Sequence, residues 1–341
     1  MLIVYICNGS GWEPITYMAN LAAELFEAEL VVLDSKMPKA MMAKLEMFLL
    51  KRNKSIGDEA CLMICPDASS ALKITQIKGW RKRFRCLAVL VIESYWVNRI
   101  PKAVKLSRPF DHIFITSEED LQAWTETMQT PTTYLARATD VLRLGGANIN
   151  GDSSDRNWDL TRIGRQPPEW ADDKTTNKLC ADLNLKFHGR MKGYDTAEKN
   201  QIALMQLYQQ SKFLLAFSNT AHKDHYTHPV RQYITERWTD ALACGAIVAG
   251  IAPNEPSIKR LLWDGATLEL DSIKINDGLE IIAEAVKQWK PEQALKNYQL
   301  ALERLDWRWR FAEIAAVLNE HPTKLKEEIK MLEQKIASNK N

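Results

Sequence analysis

The chain has 341 residues, of which 46% are hydrophobic, and a formal net charge of only +2. That length exceeds one ordinary domain and suits two of ~150–170 residues. The near-neutral balance excludes a dedicated nucleic-acid binder, whose charge would be concentrated and strongly positive. No apolar run reaches the ~18 residues of a spanning helix. The opening MLIVYICNGSG lacks a basic leader and a small-residue cleavage site, so it reads as a first strand and not a signal peptide. The cysteines at 7, 61, 65, 86, 180 and 244 form no Cys-x-x-Cys pair. Reduced thiols in a cytoplasmic protein are the expectation.

In chain order, strands are expected at Leu2–Ile6, Leu30–Leu33, Cys61–Cys65, Cys86–Ile92 and Asp111–Thr116. Helices are expected near Pro14–Glu27, Lys39–Leu50 and Ser70–Trp80. Short apolar runs alternating with helices imply a parallel sheet covered on both faces, built from right-handed crossovers. The segment 145–158, GGANINGDSSDRNW, has little to bury and reads as an interdomain linker. Beyond it the alternation restarts. Strands are expected at Leu160–Ile163, Leu185–His188, Lys212–Phe217, Ala246–Ile251 and Thr267–Leu270. Helices are expected near Asp172–Asp182, Glu198–Gln210, Gly278–Trp289 and Gln293–Leu318. The fold expected is α/β, with two Rossmann-like doubly wound domains facing a cleft. Residues 1–144 form the first domain and 159–300 the second. Residues 301–320 form a helix packing back across both, and 321–341 an amphipathic tail. In such sheets ligands bind beyond the carboxyl ends of the strands.

The tail repeats Leu325, Ile329, Leu332 and Ile336 among Lys and Glu over about two heptads. It either packs on its own domain or makes a homodimer contact. The basic run Lys78–Arg85, KGWRKRFR, is either a solvated helix end or a contact for anionic lipid headgroups. The latter would put a cytoplasmic protein peripherally at the inner membrane face.

The stretch Arg231–Ile251, RQYITERWTDALACGAIVAGI, carries the chemistry. Thr235 can cap a helix that runs through Cys244 and ends at Gly245 in the left-handed C′ position. Trp238, Ala241 and Leu242 then form the buried face, with Glu236 and Asp240 opposite. The backbone N–H groups around Gln232–Arg237, Tyr233 among them, leave the helix N-terminus with unpaired donors. Such an end attracts phosphate, and Arg231 adds a full charge. The acidic pair is either a solvated face or a grip on ribose hydroxyls. Preceding it, Ser218–Val230 holds His222, His225 and His228. No acidic partner stands at ligand spacing, so no metal is assigned. Ser218 and His225 are candidate contacts to donor hydroxyls or phosphates. Gly9-Ser10-Gly11 lacks the third glycine of the dinucleotide fingerprint, because Pro14 stands there. That counts against a dehydrogenase.

The order of polar loop, helix with an acidic residue, Ala-Leu-Ala-Cys-Gly and apolar strand resembles the donor segment of GT-B glycosyltransferases. The likeness is to group 1 enzymes, in particular their spore-maturation-protein-like branch. FDHIFITSEED and TYLARATDVLR within Phe110–Arg143, Ile163-Gly164-Arg165-Gln166 and LDWRWRF at Leu305–Phe311 fit that family in the same order. The resemblance implies that the carboxylate before Ala-x-Ala-x-Gly, here Asp240, holds the ribose. It implies that the residue eight earlier, usually Glu and here Gln232, meets the donor sugar. Glu236 is the alternative acidic contact, and Arg165 is the expected phosphate contact. Gly9, Ser10 and Gly11 would face the cleft. Glu93, following the Cys86–Ile92 strand, is the candidate catalytic base. No Asp-x-Asp occurs, so basic residues and a helix end would replace a metal, and no cofactor is expected. The function implied is retaining, metal-independent transfer of a sugar from a nucleotide diphosphate to a hydroxyl of a glycan, lipid-linked or protein acceptor. The alternative is a non-catalytic nucleotide- or glycan-binding protein, which Gln232 favours.

Overall fold

Every residue from Leu87 to Ile92 is at most 1% exposed. Only a strand covered on both faces buries consecutive side chains this way, and a parallel sheet with helices above and below provides it. The computed structural model describes the chain except Ser10, Ser35 and residues 37–39, 50–56, 148–155, 223–226 and 340–341. The expected linker falls largely on those residues. Two compact units result. One comprises Met1–Ala136 with Arg308–Met331, the other Arg137–Trp307 with Leu332–Asn341.

The first unit runs β1 (Leu2–Cys7), α1 (Glu13–Leu25), β2 (Glu29–Asp34), α2 (Ala40–Leu49), β3 (Glu59–Asp67), α3 (Trp80–Arg83), β4 (Phe84–Glu93), α4 (Lys102–Ser107), β5 (His112–Ile115), α5 (Leu121–Met128) and β6 (Thr132–Tyr134). Its six strands lie in the order β2-β1-β3-β4-β5-β6, all pairings parallel. The expected helix near Ser70–Trp80 is instead a 3-10 helix over Ala68–Gln76. Asp67 starts it by accepting from the Ser69 and Ser70 N–H groups. Leu2, Val4, Ile6, Cys61, Met63, Val89 and Val91 form the middle of one core cluster, together with Trp80, Phe110 and Trp124.

The second unit runs α6 (Val141–Leu144), β7 (Trp158–Arg162), α7 (Asp173–Asp182), β8 (Phe187–His188), α8 (Ala197–Gln209), β9 (Ser211–Leu215), α9 (Glu236–Ala243), β10 (Ile247–Gly250), α10 (Pro256–Leu261), β11 (Thr267–Glu269), α11 (Ile275–Gln288) and α12 (Pro291–Arg304). Its sheet has the order β11-β10-β9-β7-β8, again parallel throughout. Chain order therefore reverses direction between β7 and β9, as in doubly wound sheets. Arg156 binds this unit from within. Its guanidinium donates to the carbonyls of Ala147, Tyr208, Ser211 and Cys244.

The single helix expected over Gln293–Leu318 is two, α12 and α13 (Trp307–Leu318). Thr139 and Asp306 form a parallel bridge at the break. Thr139 N–H donates to Leu305 O and Trp307 N–H to Thr139 O, so the helix ladder gives way to a strand-like pairing. In α14 (Thr323–Ser338), Leu325 and Leu332 are 2% and 0% exposed within the chain itself, and Ile329 and Ile336 are half-buried.

The Lys78–Arg85 run is mostly turned to internal pairing. Arg81 meets Glu46, Arg83 meets Glu59 and Glu29, and Arg85 meets Glu320 and the Leu318 carbonyl.

Candidate functional site at the carboxyl ends of the strands

Helix α9 forms much as its sequence implies. Thr235 occupies the N-cap with extended backbone, and Gly245 has φ +75°. Gly245 N–H donates to Leu242 O and Ala246 N–H to Ala241 O, the paired bonds of a Schellman end. A side chain at 245 would also strike the Ala294 carbonyl at 2.6 Å and Arg156 Nη2 at 2.7 Å, so glycine is required there twice over. One expectation fails. The Thr235 hydroxyl does not cap the helix; it accepts from Arg237 Nε at 3.4 Å.

Arg237 organises this end. Its Nη1 donates to the carbonyls of Arg165, at 2.8 Å, and Ile163, at 3.3 Å. The turn after β7 is thereby pinned to the first turn of α9. Gly164 makes that turn at φ +69°. Arg162 supports it from below, donating to Gly164 O at 2.9 Å and pairing with Asp173 at 2.8 Å. Burial lowers the Arg237 pKa, and neighbouring Arg165 lowers it further. Two cations are thus held close beside a helix N-terminus, the arrangement that attracts an oxyanion.

The loop after β9 is tied by side chains to the same end. Ser218 N–H donates to Ile251 O. Its hydroxyl donates to Gln232 Oε1 at 3.2 Å, and Gln232 Oε1 also accepts from Asn254 N–H at 2.8 Å. With both lone pairs engaged, what Gln232 can offer a ligand is its amide NH2. Asn219 donates to the carbonyls of His228 and Arg231 and accepts from Tyr233 N–H. His228 Nδ1 accepts from Arg231 N–H at 2.8 Å, so this ring shapes the turn. Gln232, Tyr233, Thr235, Arg231 and Arg165 therefore gather at the carboxyl ends of β7, β9 and β10. His225 lies outside the described residues.

Asp240 corrects the sequence reading. It is 1% exposed, so it stands on the inward side of α9 and not on a solvated outer face with Glu236. Its Oδ2 accepts from Gln201 Nε2 of α8 at 3.1 Å. Burial pushes its pKa up to about 7, against the lowering effect of hydrogen bonds from Thr139 and Gln201. Desolvation of the carboxylate outweighs those bonds. Glu236 is the acidic residue at the helix start, and it pairs with Arg137. Arg137, Asn219 and Arg237 were not singled out in the sequence. Arg137 and Arg237 lie within quoted motifs, but nothing in their spacing shows what they reach.

In the first unit, Gly9 and Gly11 have φ +82° and +86° in the turn after β1, with open space where side chains would be. Ser10 lies outside the described residues. Glu93 closes β4, in register beside Asp67 at the end of β3. Ser94 Oγ accepts from the N–H groups of Thr116 and Ser117, which fixes the backbone next to Glu93. The glycine turn and Glu93 thus share the carboxyl end of the first sheet. Among the described residues no group of three or more His, Cys, Asp or Glu is placed to hold a metal ion. No described helix is long and apolar enough to cross a membrane.

Known structures share this architecture. Anabaena HepE in complex with UDP aligns over 94% of this chain and 100% of its own, at 12% identity and a TM-score of 0.52. The HepE complex with UDP and glucose gives 93%, 99%, 11% and 0.53. The fold is GT-B. S. aureus TarM, solved with UDP and α-GlcNAc-glycerol among its ligands, shares the GT-B fold at 11% identity and a TM-score of 0.50. That match covers 82% of this chain and 59% of the TarM chain. No family model matches the sequence, and no curated protein does so significantly.

Proposed function

We propose that the chain is a glycosyltransferase that moves a sugar from a nucleotide-diphosphate donor to an acceptor hydroxyl without a metal. The observation that carries this reading is Arg237 fastening the Arg165 turn to the N-terminus of α9. A leaving diphosphate gains negative charge as the glycosidic bond breaks. Fixed cations and backbone N–H groups stabilise that charge without having to reorganise. Arg165, Arg231 and Arg237 with the start of α9 are assigned that task. Gln232 is assigned to the donor sugar through its amide NH2. Glu236 takes the ribose, because Asp240 is buried. The carboxyl end of the first sheet, with the Gly9–Gly11 turn, is assigned to the acceptor, and Glu93 is the base if the reaction needs one. Crystals of proteins with this fold contain UDP, and UDP with glucose, which supports the donor class. The resemblance of Arg231–Ile251 to the spore-maturation-protein-like branch supports retention of configuration.

The test is calorimetric titration with UDP, GDP and ADP, followed by turnover of the matching nucleotide sugars. One nucleoside diphosphate is expected to bind, and Arg237→Met to weaken it about tenfold, as for a lost charged hydrogen bond. Binding of none of the three, or undiminished binding by a folded Arg237→Met variant, would reject the reading. Tight binding with no turnover of any donor would favour the non-catalytic alternative, which Gln232 supports.

A further inference from the structure

Among the described residues, nine large hydrophobic side chains are exposed, and most stand singly, as is ordinary on a soluble surface. Four do not. Met41, Met42 and Leu45 of α2 are 83%, 62% and 57% exposed, and Leu106 of α4 is 55% exposed. Helix α2 packs against α4. It turns Ala43 and Met47 inward, at the helical repeat, and leaves Met41, Met42 and Leu45 outward. On its other flank it is tied to α3, where Trp80 Nε1 and Arg81 Nη1 both donate to Glu46.

The charge of these three helices has one sign. Lys44, Lys82, Lys102 and the Arg108 that ends α4 are exposed. The one acid within the three helices, Glu46, is engaged by Arg81. A protein partner of mixed surface charge would not need this pattern. A sheet of anionic headgroups over hydrocarbon matches it in both respects. Methionine and leucine enter the acyl boundary while lysines stay with the phosphates.

We propose that the face made by α2 and flanked by α3 and α4 docks the protein onto an anionic phospholipid bilayer. The apolar chains insert to the depth of the headgroup–acyl boundary, and the surrounding cations draw the face to the membrane. The lipid-binding element is thus α2, and not the arginines of the 78–85 run, which are spent on Glu46, Glu59, Glu29 and Glu320. The proposal goes beyond the transferase reading and does not depend on it, since docking requires neither donor nor turnover.

The experiment is flotation of the full chain with vesicles of phosphatidylglycerol and phosphatidylcholine in equal parts, against phosphatidylcholine alone. The chain is expected to float with the anionic vesicles and to stay behind with the neutral ones. Met42→Glu with Leu45→Glu changes only exposed positions, and circular dichroism and a melting scan check its fold. It is expected to lose about tenfold in partitioning for each apolar chain withdrawn. Lys44→Gln with Lys102→Gln, which leaves the apolar chains in place, is expected to lose about fivefold for each charge removed. Absence of flotation with anionic vesicles, or equal flotation of both folded variants and the parent, would overturn the proposal. So would light scattering that showed a dimer abolished by Met42→Glu with Leu45→Glu and no lipid binding; the face would then cover a second copy of the chain.

Discussion

Asp240→Asn is the substitution whose outcome the structure fixes most tightly. The carboxyl is 1% exposed and its pKa is pushed up to about 7 from the ordinary 3.8. The folded state therefore holds this proton more firmly than the unfolded chain does. Between pH 3.8 and 7 folding takes up a proton, so the stability contributed by Asp240 falls as pH rises through that window and is level above it. A rise of about three pKa units corresponds to at most ~4 kcal/mol, each unit being ~1.4 kcal/mol. Asparagine is nearly the same shape, can still accept from Gln201, and carries no charge to desolvate. Urea unfolding followed by tryptophan fluorescence, at pH 5 and pH 8, measures the effect. At pH 5, where the unfolded carboxyl is already ionised and the folded one is not, the variant should lead by no more than ~2 kcal/mol, and the gap should widen as pH rises. At pH 8 the variant should be the more stable, by ~1–4 kcal/mol. A variant less stable than the parent at pH 8, or one with the parent's pH slope, would refute the reasoning. Undiminished nucleotide binding is also expected. A tenfold loss of binding by a stably folded Asp240→Asn would show that the carboxylate does reach the ribose.

Gly250→Ala should cost ~3 kcal/mol or more, because the added carbon would fall 1.7 Å from the Ala216 carbonyl, a backbone atom with no room to yield. Chemical denaturation against the parent would check this, and an unchanged midpoint would contradict the packing of β10 beside Ala216. Cys61, Cys65, Cys180 and Cys244 are buried, and burial pushes the Cys65, Cys180 and Cys244 thiols up, Cys180 to about 12. Dithionitrobenzoate should therefore react rapidly with Cys7 and Cys86 at most in the native protein and with all six after denaturation. Fast reaction of four or more native thiols would show that these cores are open.

Much of the fold is legible in the sequence because parallel strands need long apolar runs and most helices carry local stop signals. Cys86–Ile92 could be little else, and Gly245 ends α9 where a left-handed residue was required. What escaped reading depends on distant partners. Glu236 and Asp240, four apart, look like one acidic face. Which of them is buried is decided by Gln201 on another helix and by Thr139, neither linked to them by any local pattern. The break before α13 follows from a bridge between Thr139 and Asp306, far apart in sequence. Arg237 reads as one more residue in a helical turn until the carbonyls it reaches are seen.

The way the chain divides between its two units has a consequence for synthesis. The first unit is made of residues up to Ala136 and then, after Arg137–Trp307 of the second has been laid down, of Arg308–Met331. Phe311 of the returning segment rests against Phe26, Leu318 and Glu320 receive Arg85, and Thr323 N–H donates to Glu27. The earlier of the two units to leave the ribosome is thus completed only after most of the later one has been made. Until α13 and the start of α14 emerge, Phe26 lacks Phe311, and Arg85 lacks Leu318 and Glu320. A truncation after α12 would strip the N-terminal unit of Arg308–Met331, with the buried Phe311, Ile314 and Leu318, while removing only Leu305–Trp307 and Leu332–Asn341 from the other.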